Sequence, residues 1–245
     1  MPVWSDKLPS SEIAQLSKPH MSTLELNSIL NSMISEHGSK LIFDLGCGIG
    51  AQSYFLSKNF PHVEFVGLDY NEKNVAYATN LALNEKSTNL SFEMFDVLSS
   101  SQIKARGYSE REIGLISVHT LCCFKNFEPF FDAIIRLEPR WFVVNSLFFN
   151  GPLEVLIHIR DSENPSSDDN PDSDFNIFSK ELVSDYLGNH GFTVSYSDFY
   201  PHNELLRPIG GKRGSFTVST DFHPRTQFSG PVHLPWSFMR AVKTD

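Results

Sequence analysis

Short apolar runs alternate with stretches whose apolar residues recur every three to four positions, and the alternation continues from residue 41 to residue 147. Leu41, Ile42 and Phe43 head the first run, and others lie at 63–68, 90–95, 113–119 and 141–147. Helical spacing falls between most of them, near 50–58, 72–84 and 127–137. Strands joined through helices do not pair by tight hairpins. They line up parallel, with right-handed crossovers and helices on both faces of one sheet. Upstream, Leu26, Ile29, Leu30, Met33 and Ile34 share a helical face and Gly38 is a plausible stop, so residues 1–40 predict a helical N-terminal cap. Downstream, a helix at 179–189 precedes a strand at 192–196, a hairpin pairs 215–220 with 225–229, and a last strand covers 236–242. The expected fold is α/β and doubly wound: one domain over 1–245, a core at 41–147, an insertion at 148–178, and a C-terminal part at 179–245 with a hairpin insertion at about 200–235.

The first strand runs straight into Gly46, Gly48 and Gly50 on alternate positions. Glycine there permits a tight turn with positive φ and lets a ligand approach the main chain, as nucleotide-type cofactors require after a parallel strand. The dinucleotide fingerprint would put its third glycine at position 51, which is Ala51, a weaker match. Asp44, two residues before the first glycine, would repel a pyrophosphate but suits a ligand bearing an ammonium and a sulfonium. Asp69 closes the second strand 19 residues beyond Gly50, where a carboxylate accepts hydrogen bonds from ribose hydroxyls. Tyr70 follows and can stack on an adenine, and Asp96 ends the third strand.

This segment resembles the Asp-x-Gly-x-Gly-x-Gly motif of class I S-adenosylmethionine-dependent methyltransferases, on Asp44, Gly46, Gly48 and Gly50. The resemblance covers about 25–147 well and 178–245 loosely, and departs at 137–141, where a Pro-Gly-Gly turn is common in the family. It implies a seven-stranded, mostly parallel sheet with an antiparallel last strand. The implied cofactor is S-adenosylmethionine, leaving S-adenosylhomocysteine as product. Cys47 in the glycine turn, with Asp96 and Val97 near the adenine, would complete the cofactor set. His119, at the end of strand four, would line the methionine portion and the acceptor. It is either the general base, to which an unperturbed pKa near 6.5 is suited, or a histidine that packs beside the cofactor without taking a proton.

Charge and composition narrow the acceptor. A net charge of −9 and a pI near 5.4 argue against a general grip on nucleic acid, and Cys122 and Cys123 lack the proline that precedes a nucleophile attacking cytosine. The three cysteines have no metal or redox spacing, so no metal is expected, and a reducing cytoplasm is the expected compartment. No run of about 18 apolar residues points to a membrane. These features predict a small-molecule acceptor methylated on oxygen or nitrogen. The alternatives are a protein acceptor, a catalytically silent cofactor-binding protein, or a dinucleotide oxidoreductase. Monomer and homodimer both stay open.

Three further residues are candidates for the acceptor wall. Asn145, with Ser146, ends strand five and could orient a substrate oxygen. Beyond it, Pro152 could open a helix in which Glu154, His158 and Asp161 share one face; the apolar run 155–159 reads almost as well as a strand. The acidic stretch 161–174 is either a solvated loop or a lid that attracts a cationic substrate.

Overall fold

The computed structural model describes residues 16, 18–99, 112–159, 173–201, 206 and 215–244. Residues 1–15 of the predicted cap, the acids of the predicted loop from Asp161 to Asp172, and the glycine-rich turn 210–214 lie outside the described residues. Helix α1 (Met21–His37) ends where Gly38 turns left-handed at φ 63 and returns its N–H to the Ile34 carbonyl. Five strand segments then follow in the predicted order: β1 (Leu41–Leu45), β2 (Glu64–Asp69), β3 (Leu90–Met94), β4 (Ile113–Val118) and β5 (Trp141–Phe149). Helices α2 (Ala51–Asn59), α3 (Glu72–Asn84) and α4 (Glu128–Arg136) connect β1 to β2, β2 to β3, and β4 to β5. Three two-residue strands follow, β6 (His158–Ile159), β7 (Ser173–Asp174) and β8 (Phe178–Ser179), then α5 (Lys180–Asn189) and β9 (Phe192–Asp198). Three short strands, β10 (Ser215–Val218), β11 (Thr226–Ser229) and β12 (Val232–His233), form a separate small sheet before β13 (Trp236–Lys243).

The main sheet runs β3-β2-β1-β4-β5-β13-β9, with β8 as an eighth, two-residue strand on the end of β5. Pairing from β3 through β5 is parallel, and β13 inserts antiparallel between β5 and β9. The strand order reverses between β1 and β4, which opens a crevice beyond their carboxyl ends. Period-two alternation then assigns faces. Leu41, Phe43 and Leu45 pack into one core with α4 and α5, while Ile42 joins the other with α1, α2 and α3. Asp44 shares the side of Ile42 and so points at α2.

One expectation fails here. The described residues 150–159 after β5 contain no helix: Val155 bridges Ile177, and His158 pairs with Asp174 across β6 and β7. The strand-like alternative at 155–159 describes it, because a partner segment at 173–177 satisfies the extended backbone that Pro152 would otherwise have turned into a helix.

Candidate functional site

The turn after β1 is tied to the end of β2. Gly46 N–H and Cys47 N–H both donate to the Leu68 carbonyl (2.7 and 3.1 Å), and Gly48 N–H donates to Asp69 Oδ2 at 2.9 Å. Gly46 and Gly48 are left-handed (φ 76 and 54), and a Cβ on Gly46 would lie 2.3 Å from Thr120 Oγ1, which presses in from β4. Asp69 Oδ1 accepts from Asn71 N–H at 2.9 Å, fixing the start of α3, where the Asn71 side chain caps Lys73 and Asn74. Burial pushes the Asp69 pKa up, against the hydrogen bonds from Asn71, Gly48 and Asn74. Asp96 Oδ1 accepts from Leu98 N–H at 2.9 Å, so this acid is held by its own turn beyond β3.

These ends open onto a cavity of about 950 Å³. Of the residues the sequence marked for the cofactor, Gly46, Cys47, Gly48, Asp69, Tyr70, Asp96, Val97 and His119 line it. Two predicted cofactor residues do not. Asp44 is 1% exposed and sits behind the wall, where its carboxylate accepts from Ser53 Oγ at 2.6 Å and from Gln52 Nε2 at 3.3 Å. It reaches the cavity only through Gln52, which lines it. Gly50 starts α2 at φ 79, and a Cβ there would meet Phe92 at 2.5 Å and Ala78 at 2.9 Å. Its role is close packing of the turn on β3 and α3 rather than ligand approach.

His119 adopts φ 60, a conformation rare outside glycine, and this turn throws its ring from the end of β4 into the cavity. Trp236 packs against it with ring centroids 4.4 Å apart, and His20 lies edge-on at 6.3 Å. Burial, with a smaller contribution from His20, pushes its pKa down to about 4, and the Asn145 side chain opposes that shift. The ring is accessible through the cavity although protein surrounds it. The downward shift weighs against a base titrating near 6.5 and toward the other role the sequence offered, a histidine that packs beside the cofactor.

The acceptor-side residues divide as well. Asn145 is fully buried between β4 and β13, donating to the Ser237 carbonyl at 3.2 Å, and does not line the cavity. Ser146 is equally buried. Glu154 is exposed and also off the cavity. His158 does line it, with Nδ1 2.9 Å from Asp174 Oδ1. Sequence reasoning missed His20, Gln52, Thr120, Cys123 and Asn176, all in the wall. Asn176 is 2% exposed and joins the two sides: its Oδ1 accepts from Ile157 N–H (3.0 Å), its Nδ2 donates to the Phe124 carbonyl (2.7 Å), and its N–H donates to the Cys122 carbonyl (2.8 Å). No spacing rule marks such a clamp, because its partners lie 19 and 52 residues away.

The donor set fits S-adenosylmethionine. Asp69 and Asp96 offer carboxylate oxygens to hydroxyl and amine donors, the glycine turn leaves its main chain open to approach, and no lysine or arginine lies among the described residues of the glycine turn. Residues 36–140 match the methyltransferase-domain family. No curated protein matches the chain by sequence. Among solved structures, a magnesium protoporphyrin IX methyltransferase from Synechocystis PCC 6803 with bound S-adenosylhomocysteine superposes with a TM-score of 0.53 at 14% identity, covering 91% of this chain and 84% of that one. A SAM-dependent methyltransferase from Methanosarcina mazei gives 0.55 at 14% identity, over 84% of this chain and 93% of the other. A protein solved in work on conversion of a disulfide bond into a thioacetal group during echinomycin biosynthesis gives 0.53 at 15% identity, over 94% and 84%. At these identities the likeness is one of fold. The family match marks residues 36–140 as a methyltransferase domain, whose cofactor is S-adenosylmethionine, and the fold around them is the one these S-adenosylmethionine-dependent enzymes have.

Proposed function

We propose that this chain methylates an oxygen or nitrogen of a small-molecule acceptor. The observation that carries this reading is the continuity of the cavity. From the Gly46–Gly48 turn, Asp69 and Asp96, it runs without a break to a second wall of Cys123, Phe124, Lys125, Ile157, His158 and Asp174. Ligand pockets span roughly 300–1,000 Å³, so about 950 Å³ is room for a cofactor and a modest acceptor together.

S-adenosylmethionine supplies an electrophilic methyl carbon on a sulfonium. The protein's part is to align the acceptor with that carbon and to keep water out. Asp69 and Asp96 hold the adenosine end, and Gly46 and Cys47 leave the main chain open beneath it. His119, neutral at physiological pH, and Trp236 behind it form a firm wall beside the turn.

Calorimetric titration with S-adenosylmethionine, S-adenosylhomocysteine and NADH tests the cofactor, with binding expected for the first two alone. Label transfer from S-adenosylmethionine to small molecules and to intact proteins then tests the acceptor. Labelling confined to proteins would overturn the small-molecule reading, and binding without any transfer would favour a silent binding protein.

A further inference from the structure

Helix α1 starts in the cavity wall, where His20, Ser22 and Thr23 all line it. His20 meets His119 edge-on at 6.3 Å, so the helix begins beside the end of β4. Its N-cap residue, His20, is extended and contributes no side-chain cap, and its first turn holds no acid. The first turn closes with Leu24 N–H donating to the His20 carbonyl at 3.1 Å, and the N–H groups of Met21, Ser22 and Thr23 find no acceptor among the described residues. A 17-residue helix with an uncapped start carries partial positive charge there, which favours an anion. The second observation is independent of the backbone. Ser22 is 3% exposed, and its Oγ has no hydrogen-bond partner. Of the described buried side-chain atoms left in that state, it is the one that belongs to the cavity wall. A buried hydroxyl without a partner is destabilising, and a ligand that accepts its hydrogen bond relieves this.

The neighbours of this helix end narrow the anion. Thr23 Oγ1 donates to Gln52 Oε1 at 3.4 Å, and Gln52 Nε2 donates to Asp44 Oδ1 at 3.3 Å. The Gln52 amide oxygen keeps a second lone pair for a donor in the cavity, and the buried Asp44 carboxylate stands behind it. An acid so close would repel a plain anion. It suits a zwitterion, whose ammonium turns to Gln52 while its carboxylate meets the helix. Neither imidazole supplies a rival cation, because burial lowers the pKa of both His20 and His119. We propose that the N-terminus of α1, with Ser22 Oγ, binds the carboxylate at the amino-acid end of S-adenosylmethionine. This rests on S-adenosylmethionine as the cofactor, and it adds to the site a segment that precedes the matched domain at 36–140. Residues 20–23 then select the whole cofactor over adenosyl thioethers that lack the carboxylate, while Asp69 and Asp96 hold the adenosine end that both share.

Calorimetry on the full chain tests this with two ligands, S-adenosylhomocysteine and its decarboxylated analogue, which keeps the ammonium. Wild type should bind S-adenosylhomocysteine at least about 100-fold more tightly, since two or more hydrogen bonds to a charged group separate the ligands. Ser22→Ala removes the hydroxyl and keeps the helix. It should weaken S-adenosylhomocysteine about 10-fold and leave the decarboxylated analogue within about threefold of wild type. Ser22→Asp places a carboxylate where the helix end tolerates one but where it faces the carboxylate of the ligand. The preference should then collapse or invert, because the analogue is a cation. Circular dichroism checks that each variant is folded at the temperature of the titration. Equal affinity of wild type for the two ligands overturns the inference, as does an undiminished preference in Ser22→Ala or an equal loss for both ligands there. Failure of wild type to bind either ligand would remove the cofactor assignment as well, which separates that failure from this one.

Discussion

Replacing Asp44 by asparagine separates what this acid does for the cofactor from what it costs the fold. Burial, opposed by hydrogen bonds from Ser53 and Gln52 and reinforced by nearby Asp69, pushes its pKa from 3.8 up to about 6. At 1% exposure there is little solvent screening to discount. Between pH 4 and 6 the unfolded chain has released this proton while the folded chain still holds it. Stability therefore falls as pH rises through that window, by about 3 kcal/mol once pH 7 is reached. Asparagine keeps the shape and cannot titrate. Its fixed packing and hydrogen-bond costs apply at every pH, so they cancel when the wild-type-minus-variant difference is compared between two pH values. Between pH 4.5 and 7.5 the variant should gain about 2 kcal/mol relative to wild type, which for a chain of this size is a relative rise in Tm of about 4–8 °C. Thermal unfolding monitored by circular dichroism at the two pH values reads this directly. A Tm difference that stays constant from pH 4.5 to 7.5 would refute the buried-carboxylate argument. Titration with S-adenosylmethionine should show the opposite sign: weaker binding in the variant, because Gln52 loses the charged acceptor that orients it toward the cavity.

Three other perturbations probe the same architecture. Gly50→Ala combines a left-handed conformation with a Cβ 2.5 Å from Phe92, and urea unfolding should show a loss of about 2–5 kcal/mol. Asp69→Ala strips the acceptor from Gly48 N–H and Asn71 N–H, and calorimetry should find S-adenosylhomocysteine binding at least about 100-fold weaker, with unfolding at lower urea as well. His119 is harder to protonate folded than unfolded, so its contribution to stability is lost as pH falls from 6.5 toward 4. His119→Gln should flatten the pH dependence of Tm in that window, and its kcat profile should keep any inflection near neutral pH.

Much of this protein was legible in one dimension because local rules govern it. Strand and helix periodicities, glycine at left-handed turns and acids at strand ends are short-range signals. They placed β1 to β5, the Gly46–Gly48 turn, Asp69, Tyr70, Asp96 and Val97 within a residue or two of where the structure has them. What depends on which face a side chain takes, and on what comes from afar to meet it, was decided only in three dimensions. Asp44 and Gly50 belong to the motif yet stand behind the cavity wall, since strand alternation turns one toward α2 and Phe92 fills the space beside the other. Asn145 sits at a strand end like Asp69, but β13 pairs alongside and buries it. His119 has an ordinary neighbourhood in sequence, while Trp236 arrives from 117 residues away to pack on its ring, and burial lowers its pKa. His158 and Asp174 are 16 residues apart and meet only because a two-stranded ribbon sets their register. Burial and long-range pairing are properties of the packed chain, and these set the chemistry of each side chain in the cavity.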